Sequence, residues 1–425
     1  MRRASLDRVH VSVRRSPAFG WAMTPGDRAA KMCRAADLQL TVARCLSMDR
    51  VNVVIIGGGV VGCAIAYELS GRIEDVFLLE QSPRLGMATS TRNSGVIHSG
   101  IYYPPKFLKA RFCVEGNRLT KEFCAAHGVP HADCGKIVVA AHQSEIPELE
   151  ELAENGRLNG VEGLKLVGPE RIRQREPHIR AAAALEVPST AIVSAEELVK
   201  AFARLAGDRG ASLLTNARAK KLEARPDGIA VEVELGDPAE PESLRTESVE
   251  AKCLVNSAGL YADEIAAMLG NNSYRIYPVR GEYAEVRRAR AELVSALVYP
   301  LPHHDGLSLG VHLTKTLWGT VLVGPTAHYV ADKNDYEHDR LPLEEFLLDA
   351  QGLLPELRLE DLRLAYSGIR PKLVPPGGKG MADFVIARDP THPRAIHLVG
   401  IESPGLTSAP AIARHVATLV SETLD

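Results

Sequence analysis

Gly57, Gly59 and Gly62 follow the apolar run Val51-Asn-Val-Val-Ile-Ile56, and Glu80 closes a second apolar run, Val76-Phe-Leu-Leu79. Glycines at this spacing turn a strand into a helix. The first permits the tight turn, the second lets backbone approach a pyrophosphate, and the third lets helix and strand pack closely. Amides at the helix start then face phosphates, and Glu80 accepts hydrogen bonds from a ribose. The chemistry is dinucleotide binding. A glycine turn in an ordinary β-α-β unit is the competing reading. The strand before, the helical run Cys63-Ala-Ile-Ala-Tyr-Glu-Leu69 after and the acid at the expected distance all count against it. These residues alone leave NAD and FAD open.

The chain that positions them has 425 residues, enough for two substantial cores. Its net charge of −3, with 45% hydrophobic and 24% charged residues, gives no global signal for nucleic acid, so cationic groups are judged as parts of a site. Cysteines at 33, 45, 63, 113, 124, 134 and 253 form no CxxC pair and no metal-ligand spacing, which points to a reducing, cytoplasmic type of compartment. No apolar run reaches the ~18 residues of a membrane span; peripheral membrane contact stays open. Residues 1–47 carry scattered arginines and few acids. They read as a disordered extension, an overlong start before Met48, or an organelle presequence that would make the protein mitochondrial.

Downstream, a segment rich in small and polar residues runs from Gly86 to Tyr103. A helical pattern over Lys106–His127 follows, with Leu108, Phe112, Leu119 and Phe123 on one face. Lys136–Ala141 reads as a strand, and Glu145–Arg180 as helices and connections outside a central sheet. Ser194-Ala-Glu-Glu197 is a capping box opening a helix through Leu205. Short strands follow over Ser212–Thr215, Ala219–Glu223 and Ile229–Glu234, with Pro226-Asp-Gly228 as a turn. Ala251–Gly259 is a buried-type strand ending in small residues, which lets a bulky ligand approach the sheet edge. Tyr277–Gly324 changes to β-type segments of a largely antiparallel second domain. The chain then returns through strands at Phe384–Ile386 and Ile396–Gly400 to a final helix expected after Ser408. The expected organisation is an α/β fold with interleaved domains: 48–135, 190–270 and 366–425 for the nucleotide, 136–189 and 271–365 for the substrate.

Together these segments resemble the D-amino-acid oxidase superfamily, whose glutathione-reductase-like FAD domain is discontinuous. Asn93-Ser-Gly-Val-Ile-His98-Ser-Gly-Ile-Tyr-Tyr103, Val279-Arg280-Gly-Glu-Tyr283, Leu309-Gly-Val-His312-Leu-Thr314 and Val399-Gly-Ile-Glu-Ser-Pro404-Gly-Leu-Thr-Ser408 are similar to its L-2-hydroxyglutarate dehydrogenase/oxidase branch. The resemblance spans Val51 to the C-terminus. It implies FAD, with Gly57, Gly59, Gly62 and Glu80 on the ADP half and Thr89, Ser90, Asn93, Ser94 and Gly95 along the pyrophosphate and flavin edge. Ser257, Ala258 and Gly259 match its strand-end motif. Gly405, Leu406 and Thr407 would lie at the last helix's N-terminus, where amides stabilise negative charge. No cysteine follows Cys253, so a C-terminal cysteinyl attachment is excluded and noncovalent FAD is expected, with histidyl attachment left open.

Oxidising a 2-hydroxy acid needs a cation for the carboxylate, a base for the hydroxyl proton and a hydride acceptor. Ser367-Gly-Ile-Arg370-Pro371 resembles the family's Gly-x-Arg-Pro segment, whose arginine holds the substrate carboxylate. The competing role is an interdomain ion pair. His98 and His312 are the rival bases, each set against a structural histidine satisfied by its neighbours. Tyr283 and Tyr299 could bond the substrate or pack a domain junction. A dicarboxylate needs a second cation, for which Arg280, Lys315 and Lys372 are candidates against solvated surface roles. His303-His304-Asp305 lacks a third spaced ligand, so no metal site is expected. The expected reaction is FAD-dependent oxidation of a small L-2-hydroxy acid, foremost L-2-hydroxyglutarate to 2-oxoglutarate. Oxygen, a quinone or an electron-transfer protein would take the electrons onward. The alternatives are an amino-acid or glycine-type oxidase, a glycerol-3-phosphate dehydrogenase, and a flavin-binding structural protein without turnover.

Overall fold

The computed structural model describes residues 50–302 and 310–425. Its first sheet is built on five parallel strands in the order Ser212–Leu214, Val76–Leu79, Arg50–Ile56, the end of Arg245–Asn256, and Ala395–Val399. Strands buried on both faces read as unbroken apolar runs, and Val53–Ile56 and Val76–Leu79 do so. Ala217–Arg225 and Gly228–Leu235 extend the long central strand as an antiparallel meander, and Val385–Arg388 pairs antiparallel with Ala395–Val399. The glycine-started helix Val60–Ser70 packs between Ala195–Asp208 and the C-terminal helix Gly405–Leu424, which in turn packs on Leu108–His127. Their buried faces form one apolar core with the parallel strands. The fold is of the α/β, Rossmann type anticipated from the glycine spacing.

The second sheet has nine strands, antiparallel throughout except where Leu297–Pro300 runs alongside Lys136–Ala140. Tyr277–Val286 pairs with Leu362–Lys372 on one side and with Val321–Gly324 and His328–Tyr329 on the other. Within Glu145–Arg180 the helices Ile146–Leu158 and Pro169–Arg175 are joined by Lys165–Val167, which adds a strand to this sheet. Helix Leu343–Gln351 packs against it over a second apolar core. A small third sheet joins Val96–Ile97, Ala191–Val193 and His131–Ala132. The final helix begins at Gly405, earlier than the Ser408 expectation, so Gly405–Thr407 form its first turn. Among the described residues no helix is long and apolar enough to cross a membrane.

Candidate active site

A cavity of about 410 Å³ is lined by the carboxyl ends of the parallel strands at Ile56, Leu79 and Ser257, the edge at which open α/β sheets place ligands. At one end the wall is backbone. Gly57 has φ +107°, and a Cβ there would lie 2.4 Å from the Ser257 carbonyl; one on Gly62 would lie 1.9 Å from the Gly57 carbonyl. Gly62 therefore acts through packing and does not itself line the cavity. Val60 N–H, in the first turn of the fingerprint helix, donates to Ser90 Oγ at 2.8 Å. Glu80 accepts from Gly58 N–H (2.7 Å) and Ser82 N–H (2.8 Å), which fixes its carboxylate in the cavity wall.

The loop 89–95 joins this end to the second sheet. Thr89 Oγ1 donates to the Ile369 carbonyl (2.8 Å), and Tyr366 Oη donates to the Asn93 carbonyl (2.8 Å). Asn93 locks the loop on itself, donating to the Thr89 and Ser90 carbonyls while accepting from Gly95 N–H. A Cβ on Gly368 would come within 2.0 Å of the Arg92 carbonyl, so only glycine lets loop and strand meet. The next strand positions carry Ile369 and Arg370. Gly95, at φ +68° and tight against the Val193 carbonyl, shapes the turn outside the cavity. Ser94 and Ser257–Gly259 line it.

At the far end the wall is side chain. Arg370 Nη1 donates to the Thr326 carbonyl (3.2 Å), and no carboxylate among the described residues pairs with it. Its guanidinium lies over Gly281, where a Cβ would approach Nη2 to 2.8 Å. His312 Nδ1 is 2.9 Å from the Gly310 carbonyl. A carbonyl only accepts, so the proton sits on Nδ1 and Nε2 keeps a lone pair. Burial lowers this imidazole to about 3, with Lys136 and Arg370 pushing the same way against the Gly310 bond. His98 is clamped by its backbone, N–H to Thr407 Oγ1 (2.9 Å) and carbonyl to Asn117 Nδ2 (2.9 Å). Its Nε2 lies 3.4 Å from Ser403 Oγ, and its Nδ1 is buried without a partner among the described residues. Burial, then Lys136 and His312, hold it well below the usual imidazole range. Thr407 thus positions His98 from behind the wall, while Gly405 and Leu406 line the cavity. Tyr283 also lines it, and burial raises its phenol.

Two expected cations are spent elsewhere. On the strand Tyr277–Val286, Gly281 and Tyr283 face the cavity, and alternation turns Arg280 to the other face. There its guanidinium meets Glu282, Asp335 and His328 and the Asp339 carbonyl. Lys315 Nζ donates to the Ala291 carbonyl, also away from the cavity. Tyr299 stands behind the wall, stacked on His312 with ring centroids 3.8 Å apart. His303–Asp305 fall outside the described residues. Lys372 does line the cavity, 3.4 Å from Glu402 Oε1. Sequence reading passed over Lys109, which meets the same oxygen at 2.9 Å, and Glu402 itself, although Glu402 lies inside a motif already singled out. It also missed Tyr102 and Lys136, a buried ammonium 3.2 Å from Tyr102 Oη and over the rings of Tyr102 and Tyr299.

The chain matches the family model DAO, FAD dependent oxidoreductase, over residues 52–419. It belongs to that family. L-2-hydroxyglutarate dehydrogenase, mitochondrial, of Arabidopsis thaliana is 36% identical over 88% of this chain and 84% of its own length. L-2-hydroxyglutarate dehydrogenase of Escherichia coli K12 is 33% identical, covering 88% and 94%. Among solved structures, L-α-glycerophosphate oxidase of Mycoplasma pneumoniae with FAD bound superposes at a TM-score of 0.78, with 28% identity over 88% of this chain and 95% of that one. The cofactor of this oxidoreductase is FAD, and the residues present fit it. Gly57 has no room for a Cβ against the Ser257 backbone, the Glu80 carboxylate is fixed in the wall where a ribose would lie, and the helices starting at Val60 and Gly405 both open at the cavity.

Proposed function

We propose that this FAD-dependent oxidoreductase converts L-2-hydroxyglutarate to 2-oxoglutarate. The observation that carries the reading is Arg370, a guanidinium without a carboxylate partner among the described residues, in the same cavity wall as an imidazole whose free lone pair is at Nε2. Bound FAD supplies the hydride acceptor. Arg370 takes the C1 carboxylate in a planar, charge-assisted fork. His312 Nε2 accepts the hydroxyl proton. The Nδ1–H bond to the Gly310 carbonyl and the stacked Tyr299 ring hold that nitrogen in place. Structure thereby favours His312 over His98, whose backbone clamps and Ser403 contact suit it to shape the cavity beside the last helix. Tyr283, whose phenol burial raises further, is a hydrogen-bond donor for the substrate. The similarity to relatives named L-2-hydroxyglutarate dehydrogenase supports the choice of acid.

A glycerol phosphate dianion suits the same cations, and the 28% identical glycerophosphate oxidase gives that second reading its weight. Anaerobic mixing of the FAD-loaded protein with L-2-hydroxyglutarate, glycerol 3-phosphate, glycine and L-proline separates them. Bleaching of the flavin band by L-2-hydroxyglutarate is expected; bleaching by glycerol 3-phosphate alone would replace this proposal with the other. The electrons then leave to oxygen, a quinone or an electron-transfer protein, and reoxidation by each in turn identifies the acceptor. The plant relative's name includes mitochondrial, and fusing residues 1–47 to a reporter tests the same address here.

A further inference from the structure

Arg370 and Lys372 stand two residues apart on the strand Leu362–Lys372, so both project from the face that lines the cavity. At the usual strand rise their Cα atoms are ~6.6 Å apart along the chain. An extended five-carbon diacid separates its end carbons by roughly 5 Å at ordinary single-bond lengths, so one molecule can reach both cations. Lys372 is buried, and Glu402 is its one side-chain partner among the described residues, at 3.4 Å. Lys109 holds the same Glu402 oxygen more closely, at 2.9 Å. An ammonium has three donors, and this arrangement leaves most of those on Lys372 for a ligand.

The charges point the same way. Arg370, Lys372 and Lys109 are three cations, and Glu402 is the anion paired with them, so among the described residues two positive charges stay unmatched in a secluded wall. Burial lowers the Lys372 ammonium from its ordinary range, with Glu402 opposing that shift. A second anion would relieve it. Other cations in the cavity are placed differently: Arg92 lies over the Tyr336 ring, and Arg218 lines it from the meander strand of the first sheet.

Resting on the hydroxy-acid reading above, we infer that Lys372, held in place by Glu402, which Lys109 anchors in turn, binds the far carboxylate of the substrate and selects a dicarboxylate over a monocarboxylate 2-hydroxy acid. The competing role for the cluster is an ion pair that merely fastens the turn before the last helix to the second sheet.

The test compares anaerobic flavin reduction by L-2-hydroxyglutarate and by L-2-hydroxypentanoate, which has the same carbon chain and a methyl end. The wild type should prefer the diacid in kcat/KM by ~100-fold or more. Lys372→Met should erase that preference by lowering the diacid value alone, while Lys372→Arg keeps it. Equal losses for both acids, or an unchanged preference in Lys372→Met, would overturn the inference. A wild type that L-2-hydroxyglutarate does not reduce would instead remove the underlying function. Should Lys372→Met fail to hold FAD, wild-type inhibition decides: glutarate must compete at least tenfold better than pentanoate, and equal inhibition contradicts a second anion subsite.

Discussion

The two ends of the cavity are built from different materials. The nucleotide end is backbone: Gly57 and Gly62 press on main-chain carbonyls and leave no room for side chains, and Ser90 and Glu80 bond main-chain amides. The end to which we assign the reaction is side chain, with Arg370, Lys372, His312 and Glu402 brought together from strands and a turn far apart in sequence. A backbone cradle recognises what many ligands share, a pyrophosphate; converging side chains recognise one substrate. Damage at the first end should cost the cofactor, and damage at the second should cost the reaction while the protein stays yellow.

The largest effect tests the first half. Gly62→Ala puts a Cβ against the Gly57 carbonyl, which cannot move without opening the turn. The purified variant should lack bound FAD by absorbance, and near-wild-type loading would break the division. Next, Arg370→Met should keep its flavin spectrum and lose ~10²- to 10³-fold in kcat/KM for reduction, since a charge-assisted bidentate contact disappears. His312→Gln should lose ~10²-fold or more in the rate of reduction itself, and His98→Gln clearly less. A smaller loss, ~10-fold, is expected for Gly281→Ala, whose methyl displaces the tip of Arg370 without touching the cofactor end. If Arg370→Met or Gly281→Ala lost FAD as readily as Gly62→Ala, the two ends would not be separable.

Stability should carry the same signature. Burial keeps the His312 imidazole neutral, down to about 3, and lowers His98 as well. Between their unfolded values near ~6.5 and those low folded values the unfolded chain binds more protons, so stability is full above ~6.5 and is lost as the pH falls. The FAD-free protein should therefore melt several degrees lower at pH ~5 than at pH ~7, and His312→Gln should flatten that slope. The smallest effect belongs to the exposed pair Arg118–Glu122. Arg118→Ala should change stability by no more than ~0.5 kcal/mol and leave both cofactor and reaction intact.

The same contrast explains what the sequence made legible. The glycine turn, Glu80 and the apolar strands are local patterns, readable because their spacing is imposed by one β-α-β unit. Arg370 was readable as part of a short motif. Arg280 misled because only strand pairing reveals that it lies on the face opposite Gly281 and Tyr283, where Glu282 and Asp335 neutralise it. Lys109 was hidden for a related reason. Leu108, Phe112, Leu119 and Phe123 suggested one buried face, yet Lys109, Gly116 and Thr120 are buried too, Gly116 and Thr120 under the start of the last helix and Lys109 against Glu402 and the Phe384 ring. A Cβ on Gly116 would meet the Thr407 carbonyl, and Thr120 donates to it. Lys136 opens a strand read from the sequence, but nothing local marks it as buried; it is enclosed by Tyr102 and Tyr299, which arrive from elsewhere, and burial brings its ammonium down to about 7.

The most direct test of the central claim is a single anaerobic titration of the FAD-loaded protein with L-2-hydroxyglutarate, followed by absorbance and by assay of 2-oxoglutarate. The account predicts full bleaching with one 2-oxoglutarate formed per flavin, abolished in Arg370→Met at equal FAD content. A flavin that stays oxidised under L-2-hydroxyglutarate yet bleaches with glycerol 3-phosphate or glycine would contradict it.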